Sequence, residues 1–401
     1  MPPSNTADIA IAQEWLEEMD AYVQAHGLRG HDPFDVKQHP WLKAAQPNPF
    51  LRKSTSVLTD LFPHAARRML HIEPTENPKA YALVALGLLR LYQITGDPAQ
   101  LQRGQVCLQR LEELAVKDTG HLSWGYPFDV TGAGIAIPAG TPIAVVCAIA
   151  GRAFTEYAAA TQEERYAEAA HATARFMLER LPRLQARDGT WCFAYAPTDL
   201  RRVHNAHLLV AGHLARTGAL VNAPELVELA EAALPFTLNR QQENGAWAYG
   251  DWQEGDTVER GLMDLIDHHH TGFNLRALHG LEQIRPHKDV KEALQKGFAY
   301  YRTLFDPSGA PRTAHARYPV DIHACSEAIL CGSILADTFL AAKPIAINTL
   351  RWAHFNMRSH SDGAPLYRKY PWFTSRITYP RWGLAWMYWA LAEYLYHTAK
   401  R

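Results

Sequence analysis

Two kinds of apolar pattern alternate along this 401-residue chain, and the alternation limits its possible folds more than any other feature. Segments of one kind, such as 98–116, carry apolar residues along one stripe and polar residues elsewhere. Segments of the other kind are apolar nearly all round, and in 80–92 only Arg90 is charged. A helix with one apolar stripe lies on a surface, whereas a helix that is apolar on all sides is buried. The chain therefore predicts alternating outer and inner helices.

Turn glycines separate these segments at intervals of roughly 60 residues, which suits a helical hairpin with long loops. The turn glycines are Gly120, Gly189, Gly245, Gly309 and Gly363. The predicted outer helices are 98–116, 163–184, 224–240, 288–304 and 342–358, preceded by a first outer helix at either 8–26 or 52–70. The predicted inner helices are 77–95, 141–159, 203–219, 268–283, 321–340 and 382–399.

Six inner helices that close on themselves predict an all-α fold, a single-domain (α/α)6 toroid of the six-hairpin glycosidase-like kind. We place the toroid at residues 51–401. Residues 1–50 are expected to form an N-terminal extension that packs on it. The connections between the predicted helices carry no linker that would divide the toroid.

Composition excludes several classes of protein. Lys and Arg number 40 against 41 Asp and Glu, a net charge of −1 that argues against nucleic-acid binding by bulk positive charge. No apolar run reaches about 18 residues, so we expect no membrane insertion. The first eight residues lack a basic stretch followed by an apolar one, which predicts a cytoplasmic location. The five cysteines include no CxxC pair and are expected to be buried thiols.

The predicted outer-to-inner connections are long and rich in Trp, Tyr, His and Arg, and all should emerge on one face, where loops of this kind usually carry function. Aromatic rings suit the apolar faces of sugars, and helix N-termini with arginines favour anions. A Trp that follows a turn glycine has a second interpretation, as a plug between helix ends. The predicted substrate-binding residues are Trp124, Tyr126, Asp129, His204, Asn205, Trp247, Tyr249, Tyr318, Arg376, Arg381 and Trp382.

Two aspartates begin successive inner helices, and each is followed closely by histidine. Asp267 precedes His269 and His270, and Asp321 precedes His323. In one toroid these two helix entries should lie side by side. Acid–base catalysis needs titratable groups held together in a cleft. The predicted catalytic residues are Asp267, His269, His270, Asp321, His323 and Tyr379.

Two chemistries remain open for these residues. Two carboxylates across a sugar would allow glycoside hydrolysis. Histidine and tyrosine beside a uronate would instead allow proton abstraction at C5, leading to epimerisation or elimination, with Arg376 or Arg381 neutralising the substrate carboxylate. Three consecutive helical histidines point about 100° apart and cannot all face one ion. We therefore predict acid–base histidines, with no metal and no cofactor.

Several motifs, in order along residues 30–395, resemble those of the bacterial VpsJ-like polysaccharide-biosynthesis proteins. The matching stretches are 30–35, 124–129, 203–206, 269–273, 318–323 and 379–383. The resemblance implies an (α/α)6 fold and a role in making or modifying an extracellular polysaccharide. A fainter similarity, at 267–274, is to the helical domain of glucuronyl C5-epimerases, without the β-domains that accompany it.

Together these features predict an enzyme that acts on an acidic, uronate-containing glycan. The alternative is a non-catalytic glycan-binding or assembly component of the polysaccharide machinery. The expected partner is a carbohydrate, either an oligosaccharide or a polysaccharide.

Overall fold

The computed structural model of the protein describes residues 5–45, 48–116 and 120–400. The helices are α1 Asn5–His26, α2 Pro40–Ala45, α3 Pro49–Leu61, α4 Pro63–Met69, α5 Pro78–Thr95, α6 Pro98–Glu113, α7 Ala144–Thr161, α8 Glu164–Arg180, α9 His204–Val221, α10 Pro224–Ala233, α11 Pro235–Leu238, α12 Arg260–Met263, α13 His268–Ile284, α14 Lys288–Tyr301, α15 Ile322–Ile334, α16 Ala342–Met357 and α17 Ala385–Ala399. A π-helical turn, Pro380–Leu384, leads into α17.

The strands are short and lie in the connections between helices. They are β1 Arg29–Gly30, β2 Thr75–Glu76, β3 Val130–Gly132, β4 Ile135–Ile137, β5 Arg183–Gln185, β6 Trp191–Phe193, β7 Arg202–Val203, β8 Gly250–Asp251, β9 Val320–Asp321, β10 Arg368–Lys369 and β11 Thr374–Ser375. Antiparallel pairing sets Arg368 of β10 opposite Asp321 of β9, and Arg202 of β7 opposite Asp251 of β8. These small sheets fix loop side chains beside the first turns of the buried helices.

Local sequence explains where several buried helices begin and end. The side chain of Asn77 accepts the backbone N–H of Lys79, and Pro78 occupies the first turn of α5, where its missing N–H costs nothing. Gly96 ends α5 with a φ of 70°, a conformation that glycine adopts freely. Asp267 and Asp321 cap α13 and α15 in the way that Asn77 caps α5.

The predicted alternation of outer and inner helices is confirmed. Helices α5, α7, α9, α13, α15 and α17 are buried along most of their length. Helices α8 and α14 bury only one stripe, as their amphipathic sequences predict.

The chain divides into two compact units. One comprises residues 108–126 and 134–303. Within it, α9 lies between α7 and α13, and these three buried helices form its centre. Helices α8, α10 and α14 pack on the outside of that centre.

The other unit comprises residues 1–107, 127–133 and 304–401. Within it, α17 lies between α5 and α15, and α16 packs on α15. Helix α1 packs against both α16 and α17, so 8–26 is the outer helix, whereas 52–70 falls mainly within α3 and α4. The domain boundary placed after residue 50 stays a prediction. No helix of the described residues combines the length and apolar character that a membrane crossing requires.

Candidate active site

Asp267, at the N-terminus of α13, holds two histidines around one carboxylate. Its Oδ1 accepts the backbone N–H of His270 at 2.8 Å, which caps the helix. Its Oδ2 accepts the His270 imidazole Nδ1 at 2.6 Å. The Nδ1 atom of His269 lies 3.5 Å from Oδ1, and the two imidazole rings are 4.2 Å apart. One loop and the first turn of one helix therefore supply a carboxylate and two imidazoles.

The electrostatics of this group favour an ionised carboxylate. Burial alone would raise the pKa of Asp267, but the neighbouring His269 and His270 and the hydrogen bonds from His270 outweigh burial and lower it. A carboxylate that accepts the Nδ1 proton of His270 fixes the tautomer, so that Nε2 is left as the basic nitrogen. His269 and His270 are partly exposed, whereas Asp267 is buried. The imidazoles are thus accessible and the carboxylate orients one of them.

His268, the first residue of α13, is a different kind of histidine. Its ring packs against Tyr301 at 4.6 Å and is buried. Burial lowers the pKa of His268 to about 3. It belongs to the core, and the angular spacing of consecutive helical residues separates it from His269 and His270.

A cavity of about 380 Å³ lies in the same unit and is lined by 134–136, 198–201 and 255–258. Arg201 in its wall pairs with Asp199 and lies over the ring of Tyr195 at 4.2 Å. Arg201 also acts electrostatically on Tyr249, whose ring packs 4.5 Å from that of His270. Tyr249 therefore connects the cavity wall to the Asp267 group.

Asp267, His269 and His270 are also the group of described residues that could hold a metal ion. Each offers one ligand atom, and the three atoms lie within 4.8 Å of one another. Two imidazoles and a carboxylate form a donor set that suits zinc and other divalent transition metals. Three successive helical histidines cannot share one ion, but His269 and His270 converge with Asp267.

Asp321 lies in the other unit, where protein groups engage both of its carboxylate oxygens. Its Oδ1 accepts the backbone N–H of His323 at 2.9 Å and the Trp382 indole N–H at 2.8 Å. Its Oδ2 accepts the Arg368 guanidinium at 2.8 Å. The buried ring of His323 stacks on Trp386 at 4.8 Å and meets Trp382 edge-on at 4.5 Å. Asp321 thus caps α15 and holds Arg368 and Trp382 in position.

Two of the predicted substrate-binding tryptophans are buried and bonded to the ends of outer helices. Trp124 is fully buried, and its indole N–H donates to the carbonyl of Leu111, at the end of α6, at 2.7 Å. Trp247 is buried in the same way and donates to the carbonyl of Thr237 in α11 at 3.0 Å. Each indole plugs the end of the preceding outer helix, and sugar contact by either residue stays a prediction.

His204 and Arg381 are also buried and engaged by protein groups. The His204 imidazole is 1% exposed, bonded through Nδ1 to Thr237 Oγ1 at 3.1 Å, and burial lowers its pKa to about 3. Arg381 is also 1% exposed and forms a two-pronged pair with Asp32 at 2.6 and 2.7 Å. A guanidinium with its donors already matched to a buried carboxylate is not free to neutralise a substrate.

Tyr379 lies in the interior beneath Arg67, whose guanidinium is 5.0 Å from the ring centroid. Burial raises the pKa of Tyr379 well above its ordinary value. Proton transfer from this phenol at neutral pH is therefore disfavoured.

The remaining predicted substrate residues are spread over both units. Tyr126 and Asn205 are buried, and Tyr318 and Trp382 are partly buried. Asp129 is partly exposed and pairs with Lys43 at 3.1 Å, whereas Arg376 is exposed. Of these, Tyr126 lies near Tyr249 in the unit that carries Asp267. Binding by this set stays a prediction.

The structure adds charged residues that sequence reasoning did not select. Asp32 and Asp35 belong to the stretch 30–35. Asp32 pairs with the buried Arg381, and Asp35 pairs with the buried Arg67. Lys79, at the start of α5, is buried 5.7 Å from the Trp386 ring centroid, and burial lowers its pKa well below its ordinary value. The sequence does carry a sign of this burial, because Lys79 stands in the first turn of a helix that is otherwise almost uncharged.

The fold is that of the six-hairpin, (α/α)6 toroid class. No family model matches the chain, and no curated protein matches it. Solved structures do. The cellobiose 2-epimerase of Bacillus thermoamylovorans matches with a TM-score of 0.64 at 10% identity, over 81% of this chain and 88% of that one.

Two further similar structures are described as hydrolases of this class. A possible GH105 member from Salmonella enterica matches with a TM-score of 0.57 at 15% identity, over 79% of this chain and 82% of that one. An unsaturated glucuronyl hydrolase specific for heparin matches with a TM-score of 0.56 at 13% identity, over 80% and 87%. At these identities the likeness establishes the fold, and the prediction of an all-α (α/α)6 toroid is confirmed.

Proposed function

We propose that the protein is a carbohydrate-acting enzyme that moves a proton on a sugar by means of the Asp267, His269 and His270 group. The observation that carries this proposal is the 2.6 Å hydrogen bond between His270 Nδ1 and Asp267 Oδ2, with a second imidazole beside the same carboxylate. Such an arrangement leaves one basic nitrogen and one potential proton donor near each other. The similar structures named as a sugar epimerase and glycan hydrolases support a carbohydrate as substrate.

The geometry favours proton abstraction over hydrolysis. A hydrolase needs a protonated acid and a second carboxylate placed across the glycosidic bond. Asp267 is held ionised by its neighbours, and Asp321 is engaged by Arg368, Trp382 and the backbone of its own helix. An imidazole oriented by a carboxylate is instead suited to removing a proton next to a carbonyl or carboxylate. Epimerisation or elimination is therefore the reaction class that we propose.

The substrate proposal is narrower than the fold supports. We propose an acidic, uronate-containing glycan, because long loops rich in arginine and aromatic residues lead into the buried helices. The sequence resemblance to VpsJ-like proteins extends the proposal to bacterial polysaccharide biosynthesis. A cytoplasmic location also stays part of the proposal. A glycan-binding component without catalysis is the alternative, and it predicts binding that survives every change to the histidines.

The proposal is tested by paired substitutions and turnover measurements on neutral disaccharides and uronate oligosaccharides, with and without a chelator. Asp267→Asn keeps a good helix cap but removes the charge that orients His270. We expect Asp267→Asn and His270→Asn each to lower kcat by about 10²–10⁴, because general acid–base groups contribute on that scale. Folding should be nearly unchanged by circular dichroism and thermal unfolding.

His171→Asn is the matched control, because His171 is an exposed histidine on α8 of the same unit. It should keep full activity. Turnover by His270→Asn equal to that of the control would overturn the acid–base assignment. Loss of turnover on chelation alone, restored by added metal, would assign the same three residues to a metal instead.

A further inference from the structure

A second cavity, in the unit that holds residues 1–107, has a mixed lining whose charged residues are mainly cationic. It lies between residues 33–37, α3 and β10, and its volume is about 90 Å³. A space of this size can hold an oxyanion group of a few heavy atoms. The residues that give it its character are Lys37, Arg52, Ser56, Thr59, Asp60 and Arg368.

Positive charge exceeds negative charge around this cavity. Three of its lining residues are cationic, and Asp60 is its one carboxylate. Asp60 is already engaged by Arg368 at 3.3 Å and by the Tyr370 hydroxyl at 2.6 Å. Arg368 in turn also donates to Asp321. The Asp60 carboxylate is therefore bound by Arg368 and Tyr370 and not by Lys37.

Lys37 is a cation of this lining that pairs with no carboxylate among the described residues. Its ammonium lies over the ring of Phe34, 4.6 Å from the centroid, and it forms no ion pair within the described part of the chain. The groups that act on it are Arg368 and Arg52, which repel its charge, and Asp60 and Asp32, which favour it. Burial, with the two arginines, lowers the pKa of Lys37 to about 8. A partly buried ammonium in such surroundings gains stabilisation from an added anion.

We propose that this cavity binds the oxyanion group, phosphate or carboxylate, of an acidic sugar. Lys37 supplies the principal charge, Arg52 lies in the same lining, and Ser56 supplies a hydroxyl donor. None of its lining residues belongs to the Asp267 group, and its occupancy does not depend on the reaction proposed there. Arg368 lines the cavity and also donates to Asp321, the residue that caps α15. The guanidinium of Arg368 therefore connects the cavity to the start of that helix.

The test is isothermal titration of the full chain with inorganic phosphate, glucose 6-phosphate, glucuronate and glucose as the neutral control. We expect at least one anion to bind and glucose not to bind. Lys37→Gln should weaken that binding about tenfold or more, and Ser56→Ala should weaken it less, since a charged donor contributes more than a neutral one. Lys53→Gln is the matched control, because Lys53 is an exposed lysine on α3 outside the lining.

The pH dependence gives a second readout. Glucuronate stays ionised above neutral pH, so its affinity should fall as the pH rises through about 8, where Lys37 loses its proton. The same fall should be absent from Lys37→Gln. Binding of phosphates alone would assign the site to phosphorylated sugars, and binding of glucuronate alone to uronates; either result supports the proposal. Absence of binding for all three anions, or equal binding by Lys37→Gln and Lys53→Gln, would overturn it.

Discussion

At the scale of single residues, several charged side chains that look like ligand contacts in the sequence are structural. Arg381 and Arg376 illustrate the difference, because they lie five residues apart in one loop. Arg381 is buried against Asp32, and Arg376 is exposed. Sequence spacing gives no information on which arginine finds a carboxylate, since Asp32 lies far away in the chain.

This contrast predicts unequal costs for the same substitution. Arg381→Met leaves the Asp32 carboxylate buried without its partner, and we expect a loss of about 3–5 kcal/mol in the free energy of unfolding. Arg376→Met should change stability by less than about 0.5 kcal/mol, as exposed substitutions usually do. Urea unfolding of both variants measures the difference. Equal stability, with sugar binding lost only in Arg381→Met, would restore the original assignment of Arg381 to the substrate.

Asp267 is both a helix cap and the carboxylate that orients the imidazole of His270. Its Oδ1 caps α13 while its Oδ2 holds His270. The sequence predicted this aspartate and both histidines because they follow one another at a helix entry. It did not predict that His268 would turn into the core, away from the carboxylate, and pack on Tyr301.

At the scale of helices and strands, the hydrophobic patterning was sufficient to predict all six buried helices. Their observed bounds differ from the predicted ones by a few residues, except where α15 ends early, at Ile334. The tryptophan after a turn glycine proved to be a repeated device that closes the end of an outer helix, at Trp124 and Trp247. Sequence alone left that interpretation open, because an indole suits a sugar face and a helix end equally well.

Helix contact in the unit that carries Asp267 depends on a glycine. A Cβ atom added at Gly151 of α7 would lie 2.3 Å from the ring of His213 on α9. His213 is fully buried, and its Nε2 lies 3.0 Å from the carbonyl of Ala170 in α8. The imidazole is therefore fixed between three helices and has no free space to move into.

We expect Gly151→Ala to destabilise the protein by about 1–3 kcal/mol, the usual cost of overpacking a core. Gly261→Ala is the matched control, because a Cβ atom there meets nothing within 4 Å. Its effect should stay within about 0.5 kcal/mol. Thermal and urea unfolding of the two variants test this. A neutral or stabilising Gly151→Ala would show that α7 and α9 approach each other less closely than described.

At the scale of the whole molecule, the fold class followed from the number and order of the hairpins. The function did not follow in the same way, because toroids of this class serve different chemistries. The first outer helix was the ambiguous element: both 8–26 and 52–70 have the required length, and the choice depends on packing against α16 and α17. The charged network of Asp32, Asp35, Asp60, Arg67, Arg368 and Arg381 joins residues distant in the chain, and local patterns carry no signal for it.

Solvent isotope exchange followed by NMR tests the central claim, proton transfer by His270, most directly. The purified protein would be incubated in D2O with cellobiose, mannose and uronate oligosaccharides. We predict that deuterium from the solvent appears on a ring or carbonyl-adjacent carbon of one substrate, and that His270→Asn abolishes the exchange. New reducing ends without any exchange, or the same exchange in His270→Asn, would contradict the account.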